Sequence, residues 1–267
     1  MGEFANPIAY ERWMGRWSRL LAPIVVAFAN LPRRARLLDV GSGTGALSRA
    51  LLEGVPGSTI VGIEPSEAYV SHSRMDICDD RLRFEVGDAQ DIPFDDDTFD
   101  ATLSLLILQE ISDAPLALRE MHRVTRPGGL VVASQWDFAK GMPMLAMFWD
   151  TVLEVAPSEA ARQTAANCMV VAYPDDRALR SLWHKTGLTE IETERHEIGM
   201  TFASFEDYWS PFLSNVTPTA SYNGKLDAGQ VAKIKDRLRE KTVGEDSDCS
   251  FNLRTHAWAV CGRVPHH

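Results

Sequence analysis

Cysteine is scarce and scattered. The four thiols, Cys78, Cys168, Cys249 and Cys261, include no C-x-x-C pair, which excludes a zinc knuckle and fits a reducing compartment. No cluster of histidine, cysteine and carboxylate has metal-ligand spacing, so no metal is expected. Long apolar runs are also missing. The longest charge-free stretch, Leu20 to Pro32, is interrupted by Pro23 and is too short to cross a bilayer. No basic segment followed by an apolar core opens the chain, so a cytoplasmic location without a membrane partner is expected. Positive charge is in deficit: 27 Lys and Arg against 37 Asp and Glu leave a net charge of −10. That sign repels a polyphosphate backbone and argues against nucleic acid as the partner. The densest basic stretches, "RLRFE" and "KDRLREK", are mixed with acids and read as solvated faces. Internal repeats and low-complexity segments are absent.

What remains has the composition of an ordinary folded protein, 45% apolar and 24% charged. At 267 residues it is expected to form one large domain with insertions. "RWSRLLAPIVVAFANLP" has apolar residues at Trp17, Leu20, Leu21, Ile24, Val25 and Phe28, a helical spacing stopped by Pro32. "RLLDV" reads as a buried strand and "GALSRALLEGV" as a helix. "STIVGIE" is a second strand, "PSEAYVSHSRM" a helix with Ser66 as N-cap, and "LRFEVGDA" a third strand. "FDATLSLLILQEI" holds a fourth strand, apolar on both faces as a central parallel strand requires. A helix from Pro115 closes at the turn "PGG" (Pro127 to Gly129), and "LVVASQW" is the fifth strand. This alternation predicts a doubly wound parallel sheet. Segments 138–174 and 201–250 interrupt it, around the helix "DDRALRSLWHKTG" and the sixth strand "LTEIETERHEIGM". They leave from the C-terminal ends of strands, where open α/β sheets bind ligands. The expected organisation is N-terminal helices over 1–32, a ligand-binding core over 33–137, and the two insertions as lids carrying the substrate residues.

The stretch "LLDVGSGTGALS" puts Gly41, Gly43 and Gly45 directly after the first strand and before a helix. Bare backbone there permits a tight turn and lets a ligand touch the main chain, while the helix presents unpaired N–H groups. A dinucleotide reader would use G-x-G-x-x-G for a pyrophosphate. Here the spacing is G-x-G-x-G, with Asp39 two residues before the first glycine. An acid disfavours a pyrophosphate and favours an ammonium. Glu64 closes the second strand 19 residues beyond Gly45, where a carboxylate accepts from both ribose hydroxyls. Asp88, after the third strand, is placed to accept from an adenine amine. An amine-bearing tail, a ribose and an adenine together describe S-adenosylmethionine.

"LLDVGSGTG", the strand-end Glu64, "GDAQDIPFDDDTFD" and "REMHRVTRPGGLVVAS" resemble, in order, the motifs of class I S-adenosylmethionine-dependent methyltransferases. The resemblance runs over roughly residues 37–135 and is to the small-molecule type represented by the ubiquinone/menaquinone-biosynthesis C-methyltransferases. It implies a seven-stranded Rossmann-like sheet of order 3-2-1-4-5-7-6 with its last strand antiparallel, and S-adenosylhomocysteine as product. It also implies that the methionine end of the cofactor lies over Asp39, Gly41 and Gly43, the ribose on Glu64, and the adenine near Pro65, Asp88 and Ala89. Ser42, Gly45 and Gln109 complete the cofactor set. In "YERWMGRWS", Tyr10 and Arg16 would meet the methionine carboxylate, Arg16 through charge-assisted hydrogen bonds; a packing helix with snorkelling arginines is the alternative.

Methyl transfer from a sulfonium is an in-line displacement, so alignment matters more than a catalytic group, and a base is needed only if the nucleophile must lose a proton. The base candidates are Asp137, after strand five, and His256 in the final strand "NLRTHAWAV". Alternation there places Arg254, His256 and Trp258 on one face and Thr255, Ala257 and Ala259 on the other. Trp136, Phe148, Trp149, Tyr208, Trp209 and Arg254 are the expected acceptor-side residues, with much of the aromatic content needed for the insertions' own packing. The expected function is methyl transfer to a small organic acceptor by a monomer or homodimer. A macromolecule (tRNA or protein) methyltransferase and a non-catalytic cofactor-binding module are the alternatives.

Overall fold

The computed structural model describes residues 6–138, 140–213, 218–244 and 249–266. Helix α1 (Pro7–Tyr10) continues through a π turn (Glu11–Gly15) into α2 (Arg16–Ala29). Then follow β1 (Arg36–Val40), α3 (Ala46–Gly54), β2 (Thr59–Glu64), α4 (Glu67–Asp76), β3 (Leu82–Val86), β4 (Phe99–Leu105), α5 (Ala114–Val124) and β5 (Thr125–Trp136). Helices α6 (Pro143–Val155), α7 (Glu159–Met169) and α8 (Asp176–Lys185) precede β6 (Thr189–Phe202). The chain closes with α9 (Phe205–Trp209), a 3-10 turn (Ser210–Leu213), α10 (Pro218–Asn223), α11 (Ala228–Thr242) and β7 (Phe251–Arg263). The seven strands form one sheet of order β3-β2-β1-β4-β5-β7-β6. β1 to β5 pair in parallel, and β7 runs antiparallel to β5, with Trp136 opposite Ala257. The expected architecture is therefore the observed one. Among the described residues no helix is long and apolar enough to cross a membrane.

The chain forms two compact units. One comprises Met14–Trp136, Ala172–His196 and Ala257–His267; the other comprises Met1–Trp13, Asp137–Val171 and Glu197–His256. In the first, β1 and β4 are buried almost throughout, because helices cover both faces of a parallel sheet. α5 buries Ala114, Ala117, Leu118, Met121 and Val124, an i, i+3, i+4, i+7 stripe that must face the core. α8 adds Leu179, Leu182 and Trp183, whose indole Nε1 donates to the Val131 carbonyl at 3.1 Å.

Local details depart from the sequence reading. α2 buries Trp17, Leu21 and Val25 together with Ser18, Ala22, Val26 and Ala29, while Leu20 is 48% exposed. Small residues let this face pack closely on α3, so the buried stripe is rotated from the one the large side chains suggest. Ser66 occupies the N-cap of α4 without a side-chain cap bond. The "PGG" turn lies inside β5, which resumes pairing with β4 at Leu130 after an irregularity between Phe99 and Ala101. The acidic loop "DDD" is partly paired: Asp96 meets Arg123 at 2.8 Å, and Arg123 also bonds Glu120 and the carbonyls of Ile92 and Phe94.

The second unit is built on rings. Phe148 stacks on Phe212 at 4.4 Å, and Trp13 and Tyr208 meet Phe212 edge-on at 5.0 and 5.2 Å. Phe202 contacts both Tyr208 and Phe251. The Tyr208 hydroxyl donates to the Met144 carbonyl at 2.9 Å, as a buried phenol requires, and burial raises its pKa. At the surface of this unit Glu154 joins α6 to α11 through Arg237 and Lys241.

Candidate active site

Because β1 to β4 are parallel neighbours, their C-terminal ends share one edge of the sheet. That edge gathers Asp39, the glycine turn, Glu64, Asp88 and Gln109 in a single unit. The three glycines have positive φ values of +70, +52 and +82° at Gly41, Gly43 and Gly45, where residues with a Cβ are strained. Their surroundings differ. A Cβ on Gly41 would lie 2.6 Å from Ile107 Cδ1, and one on Gly45 2.5 Å from Ile77 Cδ1. A Cβ on Gly43 would meet nothing within 4 Å. Gly41 and Gly45 are thus required by packing, whereas Gly43 borders open space.

Hydrogen bonds hold the turn in place. The N–H groups of Gly41 and Ser42 both donate to the Ile63 carbonyl, at 2.8 and 2.9 Å. The Gly43 N–H donates to Glu64 Oε2 at 3.2 Å, and its carbonyl accepts from the Ser73 hydroxyl at 2.8 Å. Glu64 Oε1 accepts from the Ser66 N–H at 3.1 Å. Burial raises the Glu64 pKa, and these two main-chain bonds oppose the rise. Each carboxylate oxygen retains a further lone-pair direction.

Asp39 is fully buried, and burial pushes its pKa up to about 7 against two bonds from Ser48. The Ser48 hydroxyl donates to Oδ2 at 2.7 Å, whereas Oδ1 has no partner. The Ser42 hydroxyl and Gln109 Oε1 are likewise buried without a hydrogen bond, the Gln109 amide nitrogen donating to the Leu106 carbonyl at 3.0 Å. Leu106 itself has φ +63°, an uncommon conformation for a residue with a Cβ, immediately after β4 and beside the Ile107 that packs on Gly41. Buried polar atoms are ordinarily satisfied. A carboxylate oxygen, a hydroxyl and an amide oxygen left open along one strand edge, with a vacant Cβ direction at Gly43, suit a ligand bearing an ammonium and hydroxyls. S-adenosylmethionine has both.

Sequence similarity settles the class. The family profile described as "Methyltransferase domain" matches residues 38–133. The demethylmenaquinone methyltransferase of Clavibacter sepedonicus is 30% identical over 191 residues, covering 68% of this chain and 74% of that protein. The chain belongs to the S-adenosylmethionine-dependent methyltransferases. The malonyl-[acyl-carrier protein] O-methyltransferase of Erwinia pyrifoliae is 34% identical over 161 residues, 55% of this chain and 60% of that protein. In fold, the methyltransferase is similar to phosphoethanolamine N-methyltransferase 2 of Haemonchus contortus, solved with phosphomonomethylethanolamine and S-adenosylhomocysteine. The TM-score is 0.59 at 18% identity, over 97% of this chain and 57% of that one.

The other predicted residues of the methyltransferase fall as follows. Asp88 is exposed, with Oδ1 accepting from the Gln90 N–H at 2.8 Å; Pro65 is exposed and Ala89 buried. Arg16 lies over the Trp17 ring at 4.2 Å, and Tyr10 is half-buried on α1. Trp136 is buried at the end of β5. In the second unit, the Asp137 N–H donates to the His256 carbonyl at 3.0 Å, and the His256 N–H donates to the Gly141 carbonyl at 2.8 Å. The two base candidates are thereby neighbours. Glu197 lies 3.2 Å from His256 Nε2 and 3.8 Å from Arg254 Nε. The predicted alternation in β7 holds: Arg254 is exposed, His256 and Trp258 half-buried, and Thr255, Ala257 and Ala259 buried. Phe148, Trp149, Tyr208 and Trp209 are at most 2% exposed, so their surface is spent on one another. Sequence reading missed Ser48, Ser73, Glu197 and Ile107. For Ser48 a signal existed: a hydroxyl one turn into the helix that follows the glycines.

Proposed function

We propose that the chain methylates a small organic acceptor by in-line displacement, with the cofactor held along the edge from Asp39 to Gln109. Asp39 Oδ1 takes the ammonium, Gly41 to Gly45 with Ser42 present bare backbone to the methionine end, and Glu64 accepts the ribose hydroxyls. Pro65, Asp88 and Ala89 flank the adenine, Gln109 Oε1 accepts near the methyl, and Arg16 is the partner of the carboxylate. When bound, the cofactor supplies an electrophilic methyl on a sulfonium. The chain contributes orientation and exclusion of water, worth roughly 7–11 kcal/mol when reacting atoms are aligned. The observation that carries this reading is the buried Asp39 carboxylate with one open oxygen beside the vacant space at Gly43.

Relatives named as demethylmenaquinone methyltransferases support a small acceptor. Acceptor recognition is assigned to the second unit. Phe148, Trp149, Tyr208 and Trp209 shape that unit by their packing, and its polar groups Arg254, His256 and Asp137 select the chemistry. His256 serves as base where the acceptor must lose a proton, since a neutral imidazole nitrogen can accept one.

Calorimetry with S-adenosylmethionine and S-adenosylhomocysteine tests the cofactor site. Gly43→Val and Asp39→Asn should each lose at least about tenfold in affinity, the scale of one hydrogen bond to a charged group, while remaining folded. Parent-like affinity in both folded variants overturns the assignment. Turnover on a metabolite panel then identifies the acceptor, and absence of turnover with every small molecule that binds overturns the enzymatic reading.

A further inference from the structure

Ser48 has no role in the reading above, yet it is the group that touches Asp39. It is fully buried and stands third in α3, nine positions after Asp39. A buried helical serine commonly bonds back to a carbonyl of its own helix; this hydroxyl instead crosses to β1 and donates to Asp39 Oδ2 at 2.7 Å. Its main-chain N–H, one of those that α3 leaves unpaired at its start, also bonds the same carboxyl. Both donors come from one residue, and Oδ1 stays open.

We propose that Ser48 is a positioning residue of the ammonium subsite: its donors hold the Asp39 carboxyl in a single rotamer, with Oδ1 presented to the cofactor's amine. The inference rests on the assignment of Asp39 to that amine. A carboxylate pinned at one oxygen cannot rotate about its terminal bond without breaking the Ser48 bond, so the open oxygen has a fixed direction. The environment otherwise opposes ionisation. The register partners of Asp39 on the adjoining strands are Gly62 and Leu103, neither titratable, and Glu64 at the end of β2 acts on it as a like charge. Only the start of α3, through Ser48 and the positive end of its dipole, favours the charged form. Asp39 consequently titrates about neutrality in the ligand-free protein, and capture of an ammonium must expel its proton.

The test follows cofactor affinity and proton release against pH in the full-length protein, by calorimetry in two buffers of different ionisation enthalpy. In the parent, affinity should weaken up to about tenfold per pH unit below the Asp39 midpoint. Ser48→Ala removes the hydroxyl, so that midpoint should rise by about one pH unit, the size of one hydrogen bond to a charged group. More protons should then be released per cofactor bound at neutral pH, and affinity should approach the parent's at higher pH. Ser48→Thr, which keeps the hydroxyl, should restore the parent midpoint. Carbon-13 NMR of the Asp39 carboxyl in ligand-free protein should show the same displacement without any cofactor. An unmoved midpoint in Ser48→Ala overturns the proposal, as does a folded Ser48→Ala protein that binds at no pH. The underlying assignment fails separately: Asp39→Asn binding with the parent's pH dependence and proton release would place the amine elsewhere.

Discussion

The two units put their buried side chains to different uses. Around the glycine turn, one unit leaves a carboxylate oxygen, a hydroxyl and an amide oxygen open, beside a glycine whose Cβ direction is empty. In the other, Phe148, Phe202, Phe205, Tyr208, Trp209 and Phe212 are at most 1% exposed and pack ring on ring. Stability alone opposes such open groups, since each unsatisfied buried polar group costs about 1–3 kcal/mol. Three such groups gathered at one strand edge beside an empty glycine direction suit a ligand that completes them. The comparison also explains why aromatic richness is a poor guide to an acceptor pocket: rings in a small unit are first needed to hold it together.

The largest expected effect separates the units directly. Phe148→Ala should destabilise by about 3–5 kcal/mol, the usual cost of emptying a buried phenylalanine site, read from denaturant unfolding. Cofactor affinity of the folded fraction should be unchanged. Loss of affinity in proportion to loss of stability would show that the units do not keep separate accounts of packing and binding.

Next in size is a pH effect confined to the first unit. Asp39 rises from an ordinary 3.8 to about 7 in the fold, so between those values the native state holds more protons than the unfolded chain. Stability of the ligand-free protein should therefore fall as pH rises through that window and level off above about 7. A displacement of this size is worth on the order of 4 kcal/mol. Asp39→Asn should flatten the dependence, which thermal unfolding across pH 4 to 8 would reveal, and saturating cofactor should restore stability at the alkaline end. The same slope in Asp39→Asn would assign the titration to another group.

Glu64→Ala should weaken cofactor binding by roughly 1.5–3 kcal/mol, the range for hydrogen bonds to a charged group. Part of that loss would come from freeing the Gly43 N–H. An affinity within error of the parent, by calorimetry, would put the ribose elsewhere.

The smallest effect on stability belongs to Arg254, whose side chain is 80% exposed. Arg254→Ala should shift unfolding by no more than about 0.5 kcal/mol while raising KM for an anionic acceptor. Unchanged KM would remove Arg254 from acceptor recognition.

Much of the first unit was legible in residue order. Strand ends carrying Asp39, Glu64 and Asp88 can be read because parallel strands alternate with helices and bring successive C-terminal ends to one edge. The three glycines looked alike in sequence, however, and only packing distinguished Gly43 from Gly41 and Gly45. Ser48 was overlooked because its partner lies on another element. In the second unit, the alternation of Arg254, His256 and Trp258 was readable from strand geometry, while the pairing with Glu197 was not.

The sequence by itself determined the alternation of strands and helices, the glycine turn and the cofactor, since these depend on local spacing, backbone freedom and charge type along the chain; the strand order came through its resemblance to the methyltransferases. Tertiary structure alone decided which oxygen of Asp39 stays open, which glycine faces empty space and which aromatics are spent on packing. Those properties depend on where atoms from distant segments come to rest, and on the water that burial removes from around them.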